Sequence, residues 1–413
     1  MINIGNTINR VHNAINTGMS KSVKYGNKRK SLDDRYTYDI YAMRAYCGDG
    51  FYCANYNYMD GKETLSYGKD VHWAYGGALV NNEFPLSNNI GDKPTKCGIV
   101  IIQCSYFKLK DKYKNFDISL FSTHKIEVKK NNIYFYFTTL DYEIFTDLYD
   151  SDATIKKTIY YQDVGPLPDK LKDLTRENYK LKKLAPEEDK PQYEMCFYGL
   201  FAMDLQRKIT ELNEEMKQNP SKICENTIKI RNYSRQLALG KSATGLSGYR
   251  HNAKKSDGKK EYKYKNEIRP IYCIIATWQT AYLRYSEWQL FKQYNNKVIY
   301  MNTDSIYTTE PIDTGEDKGL GYYGIDYEKK LFLGIRRNAY ILLNEDGSFY
   351  QSTIGGVLDN YFTQQQINQL KLGIPIKARS RQRDRKTDEI YETTSLLKPT
   401  YIVNSVKKNV IKI

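Results

Sequence analysis

At 413 residues the chain is long enough for two to four subdomains and a large core. Its 63 Lys+Arg against 48 Asp+Glu give a net charge of +15, which favours polyanions, because each cation that neutralises a phosphate releases a condensed counterion. Seven scattered cysteines with no CxxC pair exclude a disulfide framework or zinc ribbon, and no apolar run approaches the length of a membrane span.

Residues 1–35 read as a basic arm ending near Lys28-Arg29-Lys30. The stretch 36–43 predicts a short strand with Asp39 in its middle. From 47 to 196 the pattern is mixed strands and loops, with 98–103 and 133–138 the clearest strands and 140–148 a short helix. Prolines at 166, 168, 186 and 191 punctuate a charged stretch. Two helices follow, over 200–217, stopped by Asn219-Pro220, and over 225–243, where Arg231 and Arg235 share one face. A basic patch spans 249–269 as a loop or hairpin. Pro270 then opens a long helix to about residue 294, whose stripe of Ile274, Ile275, Trp278, Ala281, Tyr282 and Tyr285 is most simply core.

Tyr300-Met301-Asn302-Thr303-Asp304-Ser305-Ile306-Tyr307 has β-prone residues on both sides of a short polar tip. It predicts a hairpin that presents Asp304 at its turn, a rigid mount suited to a divalent cation in a nucleotide site. Strands around Arg336-Arg337 are expected over 327–343. In the tail, Lys377, Arg379, Arg381, Arg383 and Arg385 stand at every second position. On a strand all five share one face, a pattern suited to a phosphate backbone. The 39 tyrosines fit the same partner, since aromatic rings stack on bases. Charge and tyrosines alone also suit a general single-strand-binding protein.

Taken in order, these segments resemble the polymerase module of family B DNA polymerases, protein-primed type. Tyr38-Asp39-Ile40-Tyr41-Ala42-Met43 stands where that family has its first metal-binding motif, Lys241-Ser242-Ala243-Thr244-Gly245 stands at its fingers motif, and Tyr300 to Ser305 at its Tyr-x-Asp-Thr-Asp-Ser. Ala281-Tyr282-Leu283-Arg284-Tyr285 is similar to the helix segment packed behind that hairpin. Leu320-Gly321-Tyr322-Tyr323 and the segment 331–342 are similar to Leu-Gly-x-Trp and Lys-x-Tyr. The chain departs from the pattern at Asn302, Arg44, Gly245, Gly248 and Asn338.

The resemblance implies an α+β right-hand polymerase of palm, fingers and thumb with an antiparallel palm sheet. Its expected domains are a basic arm at 1–35, the palm at 36–46 and 271–345, and an insertion at 47–196. The fingers follow at 197–248, a basic hairpin at 249–270 and the thumb at 346–413. It implies template-dependent transfer from dNTPs to a primer 3′-hydroxyl, with two Mg²⁺ or Mn²⁺ ions on Asp39 and Asp304 and a weaker contribution from Asn302. Lys241 would grip the triphosphate, with Arg207, Lys208 and Arg44 as weaker candidates. Arg336, Arg337, Tyr340 and the alternating cations would contact DNA. Expected partners are primer–template DNA, dNTPs, a separate exonuclease-bearing chain and a terminal priming protein, with no membrane, in the host cytoplasm of a virus or plasmid. The alternative is a catalytically degenerate relative kept as a DNA-binding replication subunit.

Overall fold

A computed structural model of the chain describes residues 40–45, 50–87, 89–118, 127–129, 132–186, 193, 212–222, 225–226, 248–254, 260–266, 271–336, 338–355, 357–359, 361–383, 390–399 and 410–412. It opens with a short helix α1 (Ile40–Ala45), then strands β1 (Tyr52–Asn55) and β2 (Thr64–Val71) and helix α2 (Ala74–Asn81). Next come β3 (Glu83–Pro85), β4 (Ile90–Gly91), β5 (Gly98–Cys104), β6 (Tyr106–Leu109), β7 (Phe116–Ile118), β8 (Glu127–Lys129) and β9 (Asn132–Thr138). Helix α3 (Thr139–Leu148), β10 (Tyr149–Ser151), β11 (Thr154–Tyr161), β12 (Val164–Pro166) and helix α4 (Asp169–Leu184) complete the first half. The second half holds β13 (Gly248–Lys254), β14 (Lys260–Asn266), the 24-residue helix α5 (Ile271–Tyr294), β15 (Val298–Asn302) and β16 (Ser305–Thr308). It ends with β17 (Tyr323–Arg336), β18 (Ala339–Leu343), β19 (Phe349–Ile354), α6 (Gln364–Lys371), β20 (Ile376–Arg383), β21 (Ile390–Leu397) and β22 (Val410–Lys412).

An eight-stranded antiparallel sheet in the order β19-β18-β17-β2-β16-β15-β1-β7 organises the fold. Its central strands are apolar on both faces, which is why 298–301 reads as a continuous run rather than an alternation. On one face Met301 and Ile306 pack with Trp288 and Phe291 of α5. On the other, Tyr300, Tyr307, Tyr327, Phe332 and Tyr340 form an aromatic layer, with the Tyr307 and Tyr340 hydroxyls 2.7 Å apart. Rings that keep a polar tip need such a partner when buried.

Helix α5 is buried on more than its apolar stripe: Thr277, Gln279, Thr280, Arg284 and Glu287 are also inside. Its polar groups bind neighbouring elements. The Thr277 hydroxyl donates to the Ala42 carbonyl, and Arg284 makes a double hydrogen bond to Asp141 of α3 at 2.8 Å per contact, both side chains fully buried. Thr138 caps α3 by accepting from the Asp141 N–H, so one acid serves the cap and the ion pair together. A five-stranded sheet, β4-β11-β5-β9-β8, lies beyond α3. The long helix, the hairpin, and the strands at 98–103, 133–138 and 327–343 form as the sequence predicts. The basic patch is a hairpin, β13 paired with β14.

Two expectations are corrected. The stretch expected as a strand around Asp39 is, where described, the helix α1; Ala42 and Ala45, three apart, bury one side against α5. Within the segment 47–196, expected as an insertion, β1, β2 and β7 lie in the sheet that carries the hairpin. That sheet also takes β19 from the segment 346–413. Tyr340, expected to touch DNA, is 4 % exposed inside the aromatic layer, because both faces of β18 are covered.

Candidate active site at the hairpin tip

Strand β15 runs to Asn302 and β16 restarts at Ser305, leaving Thr303 and Asp304 as the turn. Thr303 has φ of +62°, a left-handed conformation that costs a β-branched residue about 1 kcal/mol or more. The Thr303 N–H donates to the Phe51 carbonyl at 3.0 Å, and Gly50 lies so close that a Cβ there would meet the Thr303 Cα at 2.5 Å. The left-handed turn is therefore held from β1's side. From the other side, the Asp304 carbonyl accepts the Val71 N–H at 2.8 Å.

That last bond brings in an acid the sequence reading did not single out. Asp70 is the penultimate residue of β2 and faces Ser305 in the ladder, so Asp70 and Asp304 meet at neighbouring strand ends. A third wall comes from the last turns of α4. Trp73, at φ of +51° before α2, stacks on Tyr179 with centroids 5.9 Å apart and planes 14° apart. Lys182 Nζ stands 5.3 Å above the Trp73 ring and Lys183 Nζ 4.5 Å above Tyr179. Asp70, Val71, Trp73, Tyr179, Lys182, Lys183 and Asp304 together line a cleft of about 450 Å³.

Carboxylates on one wall and ammonium groups on the other suit a ligand that carries cations and phosphates together. Burial, then the charges of Asp304 and Asp326, push the Asp70 carboxyl up to about 8. Its proton is thus retained in the folded chain well above the usual carboxylate range near 4. From about pH 4 to 8 the folded state binds more protons than the unfolded one, so stability falls as pH rises through that window. In EDTA the melting midpoint is expected to be lower at pH 8.5 than at pH 6 by roughly 1–3 °C. Asp70→Asn is expected to remove that difference, and Mg²⁺ to narrow it in the native chain; equal slopes in native and variant melts would refute the assignment.

Of the residues predicted for the site, Asp304 is in the cleft and Asn302 beside it, its side-chain oxygen accepting from the Thr303 hydroxyl at 3.2 Å. Asp39, Arg207, Lys208, Lys241, Arg337 and Arg385 lie outside the described residues, as do the side chains of Arg44, Arg381 and Arg383. Arg336 is half-buried at the end of β17. The alternating cations do form a strand, β20, paired with β21. Lys377 and Arg379 are exposed while Ala378 between them and Ser380 after them are buried; Arg379 is held by Asp359 at 2.7 Å. Sequence reasoning missed Asp70, Lys182, Lys183 and Tyr179. A strand ending in Lys69-Asp70-Val71 just before an Ala- and Gly-rich helix was a usable signal for the first. Among the described residues no group of three or more His, Cys, Asp or Glu could hold a metal ion.

No family model matches the chain, and no curated protein matches it. Solved structures do. Phi29 DNA polymerase complexed with primer-template DNA and incoming nucleotide substrates is similar at 14 % identity and a TM-score of 0.53, over 95 % of this chain and 67 % of that one. Phi29 DNA polymerase in an orthorhombic crystal form matches with the same values, and its complex with single-stranded DNA at 16 % identity and a TM-score of 0.50. That last match covers 87 % of this chain and 58 % of the polymerase. The likeness shows a shared fold: the chain has the α+β fold of a DNA polymerase. No described helix is long and apolar enough to cross a membrane.

Proposed function

We propose that the chain is a DNA-directed DNA polymerase of the protein-primed family B type, whose nucleotidyl-transfer site is the cleft between Asp70, Asp304 and the end of α4. The observation that carries this reading is the convergence of two carboxylates from neighbouring strand ends opposite Lys182 and Lys183. The complexes of the Phi29 enzyme with primer-template DNA and nucleotides support DNA and dNTPs as partners. The net charge of +15 and the exposed cations of β20 support a phosphate backbone along the tail.

The donor set fits divalent cations. A carboxyl that burial, and then the carboxylate beside it, hold protonated up to about 8 is relieved when a cation takes the proton's place. Two Mg²⁺ or Mn²⁺ ions bound there would lower the pKa of a primer 3′-hydroxyl and offset the charge of a triphosphate and its leaving pyrophosphate. The residues of the chain do the rest. Asp70 and Asp304 hold the cation-binding oxygens on strands pinned by the Val71–Asp304 bond. Lys182 and Lys183 attract the phosphates, and the Trp73–Tyr179 stack fixes the helix end that carries them. Lys241, Arg207 and Lys208 are proposed as further triphosphate contacts, and Asp39 as an additional acid near the site. A separate exonuclease-bearing chain and a terminal priming protein are proposed as partners.

Asn302 favours a second reading, a degenerate relative that binds DNA without extending it, because it is neutral where the cleft needs negative charge. Primer extension with Mg²⁺ and with Mn²⁺, comparing the native chain with Asp304→Asn, separates the two. Template-directed extension by the native chain and none by the variant is the expected result. Equal extension by both would reject the enzyme reading and leave the DNA-binding one.

A further inference from the structure

Behind the carboxylate pair the core holds an acid that packing does not explain. Glu287 of α5 is 1 % exposed. One turn earlier Leu283 packs with Val71 and Ala74, and one turn later Phe291 belongs to the cluster that holds Met301 and Ile306. Glu287 therefore lies on the face of α5 turned to the ends of β2 and β15, where Asp70 and Asp304 stand. Its Oε1 accepts from the Tyr323 hydroxyl, and its Oε2 has no hydrogen-bond partner. Tyr323 is in register with Val71, next to Asp70. An apolar side chain would fill this helix position at no cost, whereas a half-satisfied buried carboxyl costs several kcal/mol.

We propose that Glu287 is a positioning residue of the acidic centre, which adds a third carboxylate behind Asp70 and Asp304 and so sets how tightly that pair holds divalent cations. This rests on the reading of Asp70 and Asp304 as the cation-holding pair. Two divalent cations bring four positive charges, of which Asp70 and Asp304 offset two, and Asn302 beside them offsets none. Burial holds a proton on Glu287 in the cation-free chain; as cations bind, that proton leaves, and the carboxylate then adds negative charge from surroundings of low dielectric, where charges act at longer range than in water. Its closeness to the pair shows at Glu287 and Tyr323, where the charges of Asp304 and Asp70 add to the burial that raises the Glu287 carboxyl and the Tyr323 hydroxyl. The Tyr323 donor keeps one carboxylate oxygen fixed, so the charge cannot swing away from the pair.

Mn²⁺ binding to the full chain, read by the paramagnetic resonance of free Mn²⁺ without DNA or nucleotide, tests this. Glu287→Gln keeps shape and removes charge, and is expected to weaken binding about tenfold, with a cation-free melting midpoint equal to or above native. Glu287→Asp is expected to restore binding to within about threefold, since it returns the charge. Native affinity in Glu287→Gln, with binding lost in Asp304→Asn, would overturn the proposal and leave the cation-holding pair standing. Native affinity in Asp304→Asn as well would reject that pair, and the proposal with it. If Glu287→Gln does not fold, Tyr323→Phe decides: it leaves the carboxylate without its donor, a several-fold loss is expected, and native affinity overturns the proposal.

Discussion

Replacing Arg284 with methionine is expected to lower stability by about 3–5 kcal/mol. Both partners of the Arg284–Asp141 pair are fully buried, and the guanidinium meets the carboxylate through two contacts of 2.8 Å. Removing the cation leaves Asp141 charged and out of water. The same acid is also bonded to Thr138 at the start of α3, so the helix cap loosens with it. At this chain length the expected fall in melting midpoint is about 4–6 °C. Combining Arg284→Met with Asp141→Asn should cost less than the sum of the two, because the pair couples by about 0.5–3 kcal/mol. Strict additivity in a melting-point cycle would show that the pair is not a unit. The loss would reach the cleft, since Tyr285 and Trp288, one and four positions on, also bond α3 through Glu143 and Asp147.

Local patterns made the hairpin, the long helix and the alternating strand β20 legible. The Tyr300–Tyr307 stretch carries its own β-propensity and polar tip, and the stripe on α5 has its own period. The sheet that organises them was not legible, because it is built from pairings between distant segments. Asp70 opposes Ser305 across more than 200 residues, and nothing near Asp70 in sequence announces that register. The same holds for α4. A charged stretch among prolines shows no site of its own until Tyr179 is seen stacked on Trp73. Tyr340 failed for the opposite reason: a tyrosine beside two arginines reads as a nucleic-acid contact, yet β18 is covered on both faces and its hydroxyl is met by Tyr307. Glu287 lay hidden in a helix read for its apolar stripe. Its meaning depends on what the stripe packs against.

Asp70→Asn is expected to reduce primer extension by about 10³-fold or more, close to 4 kcal/mol of transition-state stabilisation, while leaving DNA binding near native. The variant keeps the shape of the side chain and its place opposite Ser305, so the strand ends stay clamped through Val71 and Asp304. What it loses is a carboxylate that can exchange its proton for a cation. It should also be more stable than the native chain in cation-free buffer at pH 8, because the burial and then the neighbouring carboxylates that hold the Asp70 proton up to about 8 penalise a charge that an amide does not carry. Activity lost with stability gained marks a site built against its own folding, and a residue that only packs would lose both. The matched variant Asp39→Asn assigns the carboxylates. Extension near native in Asp39→Asn and lost in Asp70→Asn pairs Asp70 with Asp304 as the acids of the reaction. The reverse result would move the reaction away from the cleft at the end of β2 and leave Asp70 as a strained acid with no part in it.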